Sequence, residues 1–444
     1  MAVHPIDYRY GSQEMRGIWD EENKLQKLLD VEAALARAHA KLGNIPTESA
    51  EVISQRANTR WVKLERVKEI ESEINHDIMA VVKALSEVCG EHGKYVHLGA
   101  TSNDIIDTAN ALLIKESLDL IKSYLLRLRD MLLELARKHK KTVCIGRTHG
   151  QHAVPTTYGM KFALWLDEVN RHLKRLNELE ERILVGKMRG AVGTAASFGE
   201  KAFEIEELVM EDLGLKPALI TNQLIPRDLY AELMMFLALV ASTLDKVGLE
   251  IRNLQRTEIL EVSEPFEKRQ VGSSTMPHKR NPIRSEKVCG LARVLYSNVL
   301  PALLNNPLWH ERDLTNSSVE RVILPESFVL LDEMLWNTIR ILEGLEMFPE
   351  NIRRNLYLTK NLIMAEPLML KLTERGMGRQ EAHEIVRKLA MRAFKEDKDL
   401  LELALEDPII AKYLNREEIE KLDPSKYVGM AERIVDNVIT SVDR

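Results

Sequence analysis

The chain of 444 residues carries a formal net charge of −6 at pH 7, with 45% hydrophobic, 29% charged and only 5% aromatic residues, 21 glycines and 15 prolines. That length suggests two to four domains, and the scarcity of glycine, proline and aromatics favours long uninterrupted elements over a turn-rich β architecture. The acidic balance argues against a general nucleic-acid binder, and three widely separated cysteines (Cys89, Cys144, Cys289) without a CxxC argue against a disulfide framework or zinc site and fit a reducing cytosol.

The opening segment, MAVHPIDYRYGSQEM, has no apolar core of a signal peptide. The first hundred residues read as a domain of shorter helices, broken at GNIP (43–46). A long-helix bundle is expected over 101–347. Ile114, Leu118, Ile121, Leu125, Leu128, Leu132 and Leu135 recur at alternating spacings of four and three, which draws one apolar stripe along a helix. Phe162, Leu166, Val169, Leu173 and Leu176 form a second stripe, and Leu229, Leu233, Phe236, Val240, Leu244, Val247, Ile251 and Leu254 a third. Arg227–Glu264 lacks proline, so a single helix of more than about 50 Å is expected there. Its longest apolar run, LMMFLALVA (233–241), is roughly half of what a membrane span needs. The stripes serve equally a bundle closed within one chain and a bundle completed by other subunits. Pro349 starts a third region of shorter helices, 348–444. The fold class expected is therefore all-α, with three helical domains (1–100, 101–347, 348–444) around a long central bundle, in a cytoplasmic protein.

Four segments break the helical pattern. Gly146–Pro155 (GRTHGQHAVP) places His149 and His152 at a helix entrance, with Pro155 able to start the helix. Histidine titrates near neutrality, so either can hand over a proton, while the bland reading is structural and no third metal ligand is evident. Gly186–Gly199 (GKMRGAVGTAASFG) follows a helix and lacks the GK[ST] ending of a phosphate loop, so it reads as tight backbone packing. Val271–Arg284 (VGSSTMPHKRNPIR) joins two long helices with adjacent serines and concentrated positive charge. It suits an anionic ligand as a mobile lid, or is a solvated basic turn. Pro307–Arg321 (PLWHERDLTNSSVER) offers Arg312 and Arg321 as forks for phosphate or carboxylate, with Ser317 or Ser318 as the alternative cap of the following helix.

Together these segments resemble the signature regions of the fumarase/aspartase superfamily, over nearly the whole chain. GSSTMPHKRNP matches its most specific pattern: GSS, one residue, MP, one residue, K, one residue, NP. His278 in that stretch points away from members with glycine or glutamine there. It leaves the branch that releases fumarate from succinyl-amino purine nucleotides, and the carboxymuconate cycloisomerases as the alternative. RTHGQHAVPTTYG, PLWHERDLTNSSVER, the Arg9–Tyr10 pair and INHD (74–77) are similar to the purine branch.

The resemblance implies roles residue by residue. Ser273 is the general base and His149 the general acid, with His76 its partner histidine and Glu286 a supporting carboxylate. Lys279 and Asn281 stabilise the carbanion, beside Ser274. Asp77, His97, Thr101, Ser102 and Gln223 match substrate-contact positions. Arg9, Tyr10, Arg312, Ser317 and Arg321 match positions for phosphate and nucleotide. The resemblance also implies a homotetramer with shared active sites and no metal or organic cofactor, while the acidic balance, the few aromatics and the short apolar runs speak against a nucleic-acid or membrane partner. A catalytically silent helical scaffold is the reading from a different class; intact Ser273, His149 and Lys279 argue against it.

Overall fold

The computed structural model describes residues 3–266, 275–276 and 278–442. Helix dominates them, and strand is confined to short two-stranded pairs. Five long helices carry the architecture: α1 (Ser102–His139), α2 (Tyr158–Ile183), α3 (Asp228–Leu254), α4 (Ile283–Leu304) and α5 (Thr315–Glu343). The three apolar stripes are buried along α1, α2 and α3. On α1 every stripe position from Ile114 to Leu132 is at most 1% exposed, but Ala136 rather than Leu135 continues the buried line. A straight helix drifts by about 20° per heptad against a strict seven-residue repeat, so the next residue takes over after three heptads.

Internal packing divides the chain into two compact units. The first comprises 1–126, 172–245 and 287–337, the second 127–171, 246–286 and 338–444, so the division falls within each of the five long helices. In the first unit, helices Glu21–Lys41, Thr47–Arg56, Leu64–Ile74 and Asp77–Cys89 enclose a core of Leu25, Leu29, Ile53, Val81 and Leu85. The break at GNIP lies where expected, between the first two of these. In the second unit, Ile145 joins Leu356, Leu368, Leu389, Leu400 and Ile410 in one core. Pro349 occupies the first position of helix Pro349–Tyr357, where its missing N–H costs nothing.

Two expectations need correction. The helix expected to run from Arg227 to Glu264 stops at Leu254 after 27 residues, about 40 Å. Absence of proline permits a helix without compelling one. Beyond Leu254 the chain turns, and Val262–Ser263 pairs with Glu346–Met347. The fully buried Glu261 there accepts hydrogen bonds from Arg147, Tyr158 (2.7 Å) and Asn355 (3.0 Å), partners that a continued helix would not meet. Nor does Pro155 start a helix. It lies in a β-hairpin, β1 (Val143–Thr148) and β2 (Gln151–Thr157), opposite Ile145, and α2 begins at Tyr158. A two-stranded ribbon has only edges, so a proline without an N–H is tolerated in it.

The glycine-rich segment packs tightly, as its composition suggests. Gly193 has φ +85°, and a Cβ there would fall on the Thr221 carbonyl oxygen.

The buried charges at the centre of the first unit are paired. Arg227, 3% exposed, donates to Asp107 (2.8 and 2.9 Å) and to Glu320 (2.7 and 3.1 Å). Burial alone would drive these groups toward neutrality. Their pairing overrides it, holding Asp107 below and Arg227 above the ordinary value. Replacing Arg227 by Met leaves two carboxylates buried without their cation. Arg227→Met is expected to cost about 3–5 kcal/mol, read as a large drop in midpoint by urea denaturation. A midpoint within error of wild type would show that the triad does not hold the unit together.

Candidate active site

The start of α1 builds the first part of the site. Asp104, wholly buried, accepts the N–H groups of Thr101 (2.9 Å), Arg189 (2.9 Å) and Gly190 (3.0 Å), and pairs with the ammonium of the equally buried Lys187. These contacts fix Thr101 and Ser102 at a helix N-terminus, where peptide dipoles favour an anionic group. His97, in left-handed conformation at φ +63°, lies just before them. Its ring Nδ1–H donates to Glu32 (2.6 Å) and its main-chain N–H to the other oxygen (3.1 Å). Burial would lower the His97 pKa, but the hydrogen bond and charge of Glu32, with Asp104, raise it.

A cavity of about 310 Å³ in the same unit is lined by Asp77, Ser317 and Arg321, together with Trp19 and Lys24. Arg321 donates to Asp77. His76 is the N-cap of helix Asp77–Cys89: its Nδ1 accepts the Met79 N–H (3.2 Å), which leaves Nε2 as the donor in the neutral ring. Ser317 sits in the first turn of α5, but neither serine caps it. Asp313 accepts the Thr315 N–H (2.8 Å) and does so by being two residues upstream, a local asparagine- or aspartate-type turn. Gln223 links two expected positions, accepting from Arg312 (2.8 Å) while donating to the Ala191 carbonyl (2.9 Å). The Arg312 Nε is buried without a partner. Arg9 and Tyr10 do not line this cavity. They are held by the next two residues: the Gly11 N–H donates to Glu333 (3.1 Å), and Ser12 donates its N–H (2.6 Å) and hydroxyl (3.2 Å) to Asp332, whose carboxyl burial pushes up to about 6.

In the second unit, His149 and Gly150 form the two-residue loop of the hairpin, both with positive φ, +53° and +73°. That is the pattern of a type I′ turn, which histidine enters more readily than most residues. His149 is exposed and its ring makes no hydrogen bond within the described chain. His152 is partly buried with Nδ1 unpartnered, and burial together with the Arg147 charge holds its pKa below the ordinary value. Lys279 is exposed beyond a turn closed by its N–H on Met276 O (3.1 Å). Asn281 precedes α4, whose first amides, Arg284 (3.1 Å) and Ser285 (2.6 Å), are capped by the buried Glu264. Glu286, in the first turn of α4, is exposed, and no hydrogen bond joins it to His149 within the chain. Ser273 and Ser274 lie outside the described residues, as do Val271, Gly272 and Pro277 of the segment expected to act as a lid.

Sequence reasoning missed the carboxylates that position these groups. Asp104 had a local signal, since Thr101 followed three residues later by an acid is a capping pattern. Glu32, Glu261 and Glu264 had none, because their partners are distant in sequence.

With this geometry in view, the comparisons with known proteins place the chain. A family model described as lyase matches residues 7–296, and a second, described as adenylosuccinate lyase C-terminus, matches 361–438. The molecule is thus a lyase of the class whose members cleave carbon–nitrogen bonds, acting on a small-molecule substrate. A protein named adenylosuccinate lyase from Pyrococcus horikoshii is 80% identical over 100% of this chain and 98% of its own length. One of the same name from Methanocaldococcus jannaschii is 57% identical over 100% and 96%. The solved structure of a 3-carboxy-cis,cis-muconate lactonizing enzyme from Pseudomonas putida is similar at TM-score 0.91, with 35% identity over 99% of both chains. The chain belongs to the adenylosuccinate lyase family of the fumarase/aspartase superfamily.

The Glu32–His97 pair makes a testable statement. A histidine whose folded pKa lies above its unfolded value of about 6.5 stabilises the fold fully below that value and loses the contribution as pH rises through the folded pKa. The thermal-midpoint difference between wild type and His97→Gln is therefore expected to be largest near pH 6 and to shrink at higher pH. A difference that grows with pH would reverse the assignment.

Proposed function

We propose that this chain cleaves adenylosuccinate to AMP and fumarate, and the succinyl-amino form of aminoimidazole-carboxamide ribotide in the same way. The observation that carries this reading is the 80% identity, over the whole chain, to a protein named adenylosuccinate lyase. The cleft shared by Asp77, Ser317 and Arg321 supports it, because a nucleotide substrate needs phosphate donors.

In this reading Ser273 removes the Cβ proton, with Lys279 and neighbouring amides stabilising the serine anion. Lys279 and Asn281 hold the carboxylate into which the carbanion delocalises. The C–N bond then breaks, its electron pair stays on the purine-side nitrogen, and His149 protonates that nitrogen. His76 assists at the phosphate side and Glu286 supports the acid. Thr101, Ser102, His97 and Gln223 contact the succinyl end, while Arg9, Tyr10, Arg312, Ser317 and Arg321 take the nucleotide. We assign no metal or organic cofactor, because side chains alone manage the proton and the leaving group.

The same proposal includes the three-part domain division 1–100, 101–347 and 348–444, a cytoplasmic location, and a homotetramer with shared sites. Apolar side chains stay exposed on three long helices: Met235, Leu239 and Leu249 on α3, Leu300 and Leu304 on α4, and Trp336 on α5. Faces of that kind mark an interface. By length and composition α4 is also apolar enough to cross a membrane. Here its open side is covered by neighbouring subunits instead.

Incubation with adenylosuccinate should release fumarate and AMP in equal amounts by chromatography; no release would overturn the reading. Ser273→Ala and His149→Gln should each lose about two to four decades of turnover while still binding substrate. A folded variant with near-normal turnover would remove that residue from its role.

Light scattering should show about four subunits. Mixing inactive His149→Gln with inactive Ser273→Ala protein, with subunit exchange confirmed by mass spectrometry, should restore activity. If none returns, acid and base come from one chain.

A further inference from the structure

The cleft that holds Asp77, Ser317 and Arg321 also holds a cation that neither the fold nor the elimination chemistry uses. Lys24, near the start of helix Glu21–Lys41, lines the same cavity. Its ammonium has no hydrogen bond or ion pair with any described residue. Its close neighbour is the face of Trp19, 5.6 Å from the ring centroid. The carboxylates around it are engaged elsewhere. Asp20 caps its helix through the Glu22 N–H (2.8 Å), and Glu21 pairs with Lys68 (2.7 Å). On the cavity wall Asp77 pairs with Arg321, Glu320 pairs with Arg227, and Glu71 is exposed.

An ammonium taken partly out of water without a counter-ion is unfavourable. Burial holds Lys24 below the ordinary lysine value, with the like charge of Arg321 acting the same way and Glu21 and Asp20 opposing. The rest of the wall is largely apolar, including Leu25, Leu28, Val81, Leu113 and Leu324, which strengthens any charge interaction inside. A dianion at the Ser317–Arg321 rim would supply the missing counter-charge.

We propose that Lys24 is a further substrate-binding residue, holding the phosphate of the nucleotide together with Ser317 and Arg321. This rests on the nucleotide-lyase reading above. Lysine suits the task as a compact point charge beside the planar fork of Arg321.

Lys24→Met should raise KM for adenylosuccinate about tenfold or more with kcat little changed, the scale of one lost charged hydrogen bond. Inhibition by AMP and by inorganic phosphate should weaken in parallel, and Lys24→Arg should recover most of the loss. The substrate nucleoside lacking the phosphate should show equal kcat/KM in wild type and Lys24→Met. An unchanged KM, an equal loss on the phosphate-free substrate, or a fall in kcat and thermal midpoint at constant KM would overturn the proposal. Should Lys24→Met fail to fold, wild-type protein still decides. Acetylation of Lys24 by acetic anhydride, followed by mass spectrometry, should be suppressed by AMP and by inorganic phosphate but not by adenosine. Equal labelling under all conditions would overturn the proposal even if the enzyme cleaves adenylosuccinate. Failure to cleave adenylosuccinate with phosphate protection intact would overturn the function and leave the anion site.

Discussion

Two carboxylates three residues apart on α1, Asp104 and Asp107, set the arrangement of the first unit. Both are wholly buried, and neither can stay ionised there without a cation and donors around it. Asp104 finds Lys187 and the amides of Arg189 and Gly190, which fastens the glycine-rich segment to the start of α1. Asp107 finds Arg227 and the Ile225 N–H (2.8 Å), which fastens the entrance of α3, and Arg227 reaches on to Glu320 of α5. The candidate site residues ride on these ties. Thr101 and Ser102 lie just before Asp104, Gln223 lies four residues before Arg227, and Ser317 and Arg321 flank Glu320. Buried ion pairs contribute uncertainly to stability, because desolvation offsets attraction. What this network does is fix register: a one-residue slip of α1 would bury an unpaired charge.

The helices were legible because their stripes obey a simple period and burial follows the period. What the pattern lacked was the end of α3. Nothing local to residues 255–264 announces that Glu261 will be claimed by Arg147, Tyr158 and Asn355, each more than ninety positions away. The hairpin was a different failure. His149–Gly150 is a turn signal of the Asn-Gly kind, and Val143–Ile145 suits a strand. Pro155 is admissible both at a helix start, where its missing N–H would be unpaired anyway, and in a two-stranded ribbon, so the residue alone does not decide between them. The segments bearing the candidate site stood out in sequence because clustered histidine, serine and arginine between glycines and prolines break a helical pattern. The acids that aim them, Glu32 and Asp332 among them, sit inside ordinary helical sequence and carry no such mark.

Similarity of backbone does not select the reaction. The carboxymuconate-type structure shares the fold at TM-score 0.91 with 35% identity, so the long helices and their packing serve more than one chemistry. Selection has to lie in side chains around a conserved frame. The cations of the first unit, Arg312 tied to Gln223 and Arg321 tied to Asp77, are held by polar partners in a loop and at a helix start rather than by the frame itself. Such groups can change without disturbing the buried stripes.

The placement of His149 follows from the same separation of frame and chemistry. The register of the hairpin, Arg147 opposite His152 and Thr148 opposite Gln151, leaves room for a loop of two residues. A two-residue loop of this kind needs positive φ at both positions, whatever residue is there. A side chain held in that conformation costs on the order of 1 kcal/mol and persists only where its surroundings dictate it. Here strand pairing dictates it, and the pairing is secured by Cys144 and Ile145, both fully buried. The imidazole is thereby held at the tip of a short ribbon and, among the described residues, kept clear of acceptors. A ring that makes no bond to the described residues is available to whatever group reaches the turn.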